Sequence, residues 1–220
     1  MRRGSPPTRA SARRAEFLTD YQNAAYANAY REFVEKVRQE EAHLGKTALA
    51  ETVARYLFKL MAYKDEYEVA RLHAETGFHE RIAAMFEGDY KVNYHLAPPL
   101  TARRNEKGEL QKRKFGPAMH TAFRFLSKFN ALRGTAFDIF GRTEERRTER
   151  ALIGEYRRSI EQVLAKLAVD NHSLALEIAR IPEQIKGFGH VKERNLAAAR
   201  PQWDKLMRQW EQSRPERAAA

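Results

Sequence analysis

The chain of 220 residues contains no cysteine. That absence excludes disulfide bridges, thiolate zinc sites, cysteine-held iron–sulfur clusters and a thiol nucleophile within it. No apolar run approaches the ~20 residues that a bilayer-spanning helix needs, so no membrane partner is expected. The Arg-rich first residues carry no apolar segment ahead of a cleavage site, and no secretory leader is expected. A Gly-x-Ser-x-Gly nucleophile elbow is missing, as are the glycine spacings of a P-loop or dinucleotide fingerprint. The histidines (His43, His73, His79, His95, His120, His172 and His190) include no i, i+4 pair that would set two metal ligands on one helix face. His73 and His79 straddle Gly77 at a spacing poorly suited to a shared metal, and no metal site is expected.

Hydrophobic residues make up 43% and charged residues 31% of a chain long enough to bury a core as one domain. The net charge of +11 resides in three places. Residues 1–14 contribute +5 through Arg2, Arg3, Arg9, Arg13 and Arg14; residues 101–115 contribute +4, and residues 200–220 contribute +2. Together these account for the whole excess, so the body of the chain is balanced. A basic surplus confined to tails and one loop reads as solvated surface, and nucleic-acid binding is disfavoured.

The dominant hydrophobic period is helical. Residues 1–12, with Pro6, Pro7 and paired arginines, and residues 213–220 hold too little apolar bulk to offset the entropy of ordering, so both read as tails. Asp20 is positioned to cap a first helix carrying Tyr26, Tyr30, Phe33, Val34 and Val37 and ending before Gly45. A second helix starts near Thr47. Thr143 opens a third, in which Leu152, Tyr156, Ile160, Val163 and Leu167 share a face, with exposed i, i+3 charge pairs at its beginning. Asp170 opens another, stopped by Pro182. Pro201 suits the first turn of a last helix bearing Trp203, Leu206, Met207 and Trp210. That pair of tryptophans reads either as docked core or as a partner-binding face. Between Lys91 and Phe115 the period changes: Val92, Tyr94 and Leu96 alternate, a polar turn follows at Asn105–Gly108, and a hairpin is expected. The fold class is therefore mainly α, one helical domain over residues 13–212 with a small β-hairpin insertion.

Two constellations invite a functional reading. Lys186, Gly187, Gly189, His190 and Lys192 place two glycines and three basic side chains just before a helix start, where backbone N–H groups and the helix dipole favour an anion. The rival is that the glycines merely end one turn and begin the next helix. Asp65, in phase with an apolar stripe, requires a buried partner or else caps the helix beginning at Glu66 through the Asp-x-x-Glu pattern.

Four blocks carry a family resemblance: ARYLFKLMAYKDEYEVARL (54–72), FEGDYKVNYHLAPPL (86–100), LRGTAFDIFGRTEERRTERALIGEY (132–156) and IPEQIKGFGHVKERN (181–195). In order and spacing they resemble the C-terminal domain of the large fused indolepyruvate ferredoxin oxidoreductases. The resemblance implies a parent enzyme that converts an aryl-2-oxoacid, with coenzyme A, into an acyl-CoA and carbon dioxide while reducing ferredoxin. It implies thiamine diphosphate and iron–sulfur clusters in the parent's other domains, and a cytoplasmic setting for that reducing chemistry. This chain itself shows neither a Gly-Asp-Gly…Asn-Asn motif nor cluster cysteines, and no cofactor is expected in it. The expected role is a non-catalytic structural or interaction domain whose partners are the catalytic domains of the oxidoreductase or a second copy of itself. The alternatives are a basic nucleic-acid-binding module and a self-standing enzyme of unassigned type. A domain of this kind should keep the surface that meets its neighbours, built on aromatic and arginine anchors. The candidates are Tyr94, His95, Pro98 and Arg103 around the hairpin, and Arg133, Phe137, Phe140 and Arg142 before the long helix, with core plugging as the rival role of Phe137 and Phe140.

Overall fold

The computed structural model describes residues 9–97 and 111–213. Their elements run α1 (Arg9–Tyr21), α2 (Ala24–Ala42), α3 (Ala48–Met61), α4 (Glu66–Ala74), α5 (Phe78–Ala83), β1 (Tyr94–Leu96) and β2 (Arg113–Phe115), then α6 (Met119–Leu126) and a 3-10 turn at Ser127–Leu132. After these come α7 (Glu144–Leu164), α8 (His172–Arg180), a 3-10 turn at Ile181–Glu183 and α9 (His190–Gln212). The protein is mainly α with one antiparallel hairpin, in register Tyr94 opposite Phe115 and Leu96 opposite Arg113. The expected turn at Asn105–Gly108 lies outside the described residues. No helix among the described residues is long and apolar enough to cross a membrane.

The chain divides into two compact units, where a single domain over 13–212 was expected: Lys64–Arg146 form one, and the residues up to Tyr63 together with those from Arg147 form the other. Periodicity reveals which face of a helix is apolar but not which helices share a core.

In the discontinuous unit, Leu18 and Tyr21 of α1, Tyr30, Phe33 and Val37 of α2, and Val53, Leu57 and Leu60 of α3 join Tyr156, Ile160, Ile178, Trp203 and Trp210 in one continuous core. Each such side chain contributes about 1.5–3 kcal/mol on burial. The face expected on α7 is the one buried. Both tryptophans are core: Trp203 Nε1 donates to Ser159 Oγ at 3.1 Å and Trp210 Nε1 to the Gln162 carbonyl at 3.1 Å.

Several expected boundaries move. The first tail gives way to helix at Arg9, and the first helix is two helices: Asn23, not Asp20, caps α2 by accepting from Tyr26 N at 2.9 Å. Asp20 has capping chemistry but sits in the last turn of α1, where burial of Ala15, Leu18 and Tyr21 in the core keeps the chain helical past it. Asn171 rather than Asp170 occupies the cap position of α8. Pro201 lies inside α9 instead of starting it. Interior proline costs about 3 kcal/mol, which burial of Leu196 and Ala199 before it and Trp203 after it offsets. At the start of α7, Arg146 and Glu149 are buried and reach tertiary partners, Glu66 and Lys192, rather than an exposed surface.

Thr47 occupies the cap position of α3 but its hydroxyl donates to the Glu51 side chain at 3.3 Å rather than capping the backbone; Glu41 supplies the cap instead. Its fully buried carboxylate accepts from Leu49 N and Ala50 N at 2.8 Å each and lies 2.7 Å from His172 Nε2. The positive end of the helix dipole suits a carboxylate there.

The continuous unit has a thinner core, in which Ala70, Tyr94 and Phe123 are buried beneath Val69, Phe78, Leu96, Phe115 and Met119. Buried charge supplements it. Asp65 does both things expected of it: Oδ1 caps α4 by accepting from Glu68 N at 2.9 Å, and the carboxylate takes a two-pronged bond from Arg133 at 2.5 and 2.8 Å. Arg71 makes a second forked pair with Glu68 at 2.8 and 2.9 Å.

Candidate functional site

The most exposed aromatic structure in the continuous unit is the loop between the 3-10 turn and α7. Asp138 points inward, accepting from Gly134 N at 2.7 Å and from Gly141 N at 2.8 Å, so one carboxylate gathers both ends of the loop. Arg133, at its entrance, is anchored on Asp65 and lies over the Tyr67 ring at 5.5 Å. Phe140 sets its ring edge-on to Tyr67 at 5.3 Å. The residues on either side of Asp138 are forced outward by this anchoring: Phe137 is 76% exposed and Ile139 55%. Exposed Arg142 closes the loop by donating to the Ala136 carbonyl at 3.1 Å. The result is a pair of apolar side chains held in solvent on a pinned backbone, beside a guanidinium.

Burial and its neighbours act together on this framework. The Tyr67 phenol is pushed up to about 12, chiefly by burial and then by the negative charge of Asp138. Loss of its proton is thereby opposed, and the phenol stays a donor 3.4 Å from Asp138 Oδ1.

The interface candidates separate into groups. Phe137 and Arg142 share the loop just described, and Phe140 is half-buried as its foot. Arg133 is buried, because its guanidinium is committed to Asp65. Tyr94 is buried too, since β1 turns it inward against Phe123, while His95 on the opposite side of the strand is exposed. Pro98 and Arg103 lie outside the described residues.

The anion candidate sits at the start of α9. Gly187 adopts φ +92°, and a Cβ there would meet Val191 Cγ1 at 2.7 Å, so close approach to the helix accounts for this glycine. Gly189, at φ +53°, occupies the cap position of α9. Lys186 and His190 are exposed, and Lys192 is paired with Glu149. A side chain the sequence reading missed joins them: Lys59 of α3 donates to the Pro182 carbonyl at 2.6 Å. Burial, then the charges of Lys192 and Lys186, lower its pKa. Three lysines thus share one neighbourhood, with Glu183 accepting from the Tyr56 hydroxyl at 2.9 Å beside them. Local sequence held no sign of Lys59 because only the tertiary fold brings α3 to this turn.

A further cluster escaped the sequence reading. His73 of α4, His79 of α5 and His120 of α6 converge around Tyr94. Among the described residues, no group of three or more His, Cys, Asp or Glu side chains is placed to hold a metal ion.

The family model described as "Family of unknown function (DUF6537)" matches residues 8–205, and the chain belongs to that family. No curated protein and no solved structure matches it.

Proposed function

We propose that the chain is a non-catalytic structural and interaction domain of an aryl-2-oxoacid ferredoxin oxidoreductase, working in the cytoplasm beside catalytic domains that hold thiamine diphosphate and iron–sulfur clusters. The observation that carries the reading is the loop at 134–142, which holds Phe137 and Ile139 in solvent on a backbone fixed by Asp138. Large apolar side chains fixed in solvent lose little further freedom on docking, and aromatic and arginine anchors of this kind dominate interface energetics. The four sequence blocks that resemble the fused indolepyruvate enzymes support the choice of partner, the oxidoreductase's own catalytic domains. Of these blocks, residues 132–156 contain the loop.

The test adds the full chain to catalytic domains truncated of their own C-terminal region and follows association by size-exclusion chromatography alongside ferredoxin reduction. The wild-type chain should co-elute with them, and Phe137→Asp with Arg142→Glu should abolish co-elution while leaving the chain's own unfolding transition in place. A wild-type chain that never associates, or a double variant that associates as well as wild type, would overturn the reading.

A further inference from the structure

The histidine cluster of the continuous unit supports an inference independent of any partner. His73 stacks on Phe123, with ring centroids 5.0 Å apart and an interplanar angle of 11°, and meets Phe78 and Tyr94 edge-on at 4.9 and 5.3 Å. His79 and His120 lie with ring centroids only 3.9 Å apart, and His79 Nε2 is 2.7 Å from the Tyr94 hydroxyl. Among the described residues, neither His73 Nδ1 nor His120 Nδ1 has a hydrogen-bond partner, although both atoms are buried. The three rings therefore stand between α4, α5 and α6 and the strand that carries Tyr94 into the core.

We propose that this cluster is a proton-sensitive latch that holds the β1–β2 hairpin on the helices when its histidines are neutral and releases it when they charge. Two imidazolium rings at the His79–His120 separation repel, and a proton added to the buried Nδ1 of His73 or His120 creates a charged donor with no acceptor among the described residues. The other groups facing the cluster are Lys64 ahead of α4, Glu80 of α5, Tyr94 of β1 and Arg124 of α6, while β2 contributes Phe115. Lys64 and Arg124 oppose a second positive charge; Glu80 alone of these favours one.

The electrostatics agree in sign. Burial lowers the pKa of His73, helped by Lys64, His79 and His120, and burial lowers that of His120, helped by His79 and Arg124. A histidine whose folded pKa lies below its ordinary 6.5 stabilises the fold in its neutral form. That contribution is complete above 6.5 and is lost as pH falls from 6.5 through the lowered folded values. Tyr94, whose pKa burial raises, keeps its proton throughout, with its hydroxyl 2.7 Å from His79 Nε2.

Backbone hydrogen exchange of the full chain, read at Tyr94–Leu96 and Arg113–Phe115 after correction for intrinsic rates, tests the latch. Between pH 7.5 and pH 5.5 protection there should fall on the order of tenfold, while α3 and α7 hold theirs. The pH dependence should be lost in His73→Phe with His120→Phe, which keeps ring packing without a titrating group. Should that variant fail to fold, proton-NMR titration of wild-type His73 and His120 gives the same answer from their midpoints. Equal hairpin protection at both pH values, a folded double variant that retains the pH dependence, or midpoints at or above 6.5 would each overturn the proposal.

Discussion

The two units are stabilised by different means. The discontinuous unit, built from α1–α3, α8, α9 and most of α7, has a continuous apolar core whose largest members, Trp210, Tyr21, Tyr30 and Tyr156, are fully buried. Of its polar interior groups, Glu41 closes the start of α3 and Asn171 bonds the Lys166 carbonyl and Ala168 N beyond the end of α7. The continuous unit, Lys64–Arg146, buries few large side chains but encloses Asp65, Glu68, Arg71, Arg133 and Asp138. Buried ion pairs often contribute little net stability compared with apolar packing, yet they fix geometry, and breaking one is costly. Most of the exposed large hydrophobics fall the same way: Met85, Phe86, Tyr90, Phe125, Phe137 and Ile139 belong to the continuous unit, Val169 and Phe188 to the discontinuous one. One unit places most of its apolar residues in its own core; the other uses charge to hold a shape and leaves more of them outside.

That contrast can be broken first in the apolar unit. Trp210→Ala removes a fully buried side chain and its bond to the Gln162 carbonyl, and should destabilise by about 4 kcal/mol in denaturant unfolding. Arg133→Ala leaves Asp65 buried without its forked partner and should cost about 3 kcal/mol, with exchange protection lost in α4 and along the loop but kept in α3. Glu41→Ala strands the amides of Leu49 and Ala50 and should cost about 2 kcal/mol, localised to the start of α3. A uniform loss of protection after Arg133→Ala would show that the two units unfold as one.

High pH sharpens the comparison further. Tyr67, raised to about 12, favours the protonated phenol in the folded state. Its contribution is complete below the ordinary value of 10.0 and disappears as pH rises through about 12. Ultraviolet titrations of wild type and Tyr67→Phe should coincide between those values, because Tyr67 keeps its proton there, and the wild type should gain one further tyrosinate only above them. Smallest of all, Phe137→Asp with Ile139→Asp should change stability by no more than about 0.5 kcal/mol, because neither side chain is packed.

The helices and the hairpin were largely readable in the sequence, their division into two units was not, and the unreadable part has a physical cause. The α7 face from Leu152 to Val163 and the alternation around Tyr94 are local patterns, and the helix and hairpin follow them, though Leu167, expected on the same helix, lies beyond its end at Leu164. Helix starts were less legible, because Asp20 and Asn23 carry equivalent capping chemistry and only tertiary packing selects between them. Asp65 could be assigned a cap from its neighbours but not a partner, since Arg133 reaches it across 68 positions. Of the histidine cluster only the neighbouring His73 and His79 were visible: nothing near His79 indicates that α6 will bring His120 against it. For the loop, the aromatic and arginine residues were visible. Which of Phe137 and Phe140 would face solvent was not, because the choice depends on Asp138 turning inward.

The central claim is that the charge-held unit presents the docking surface at residues 134–142 and that the apolar unit takes no part in docking. Hydrogen exchange of the full chain, with and without the truncated catalytic domains, tests that claim most directly. Protection gained at residues 134–142, with α1, α3 and α9 unchanged, is the predicted result. Protection gained in those three helices with none at 134–142, or no change anywhere, would contradict it.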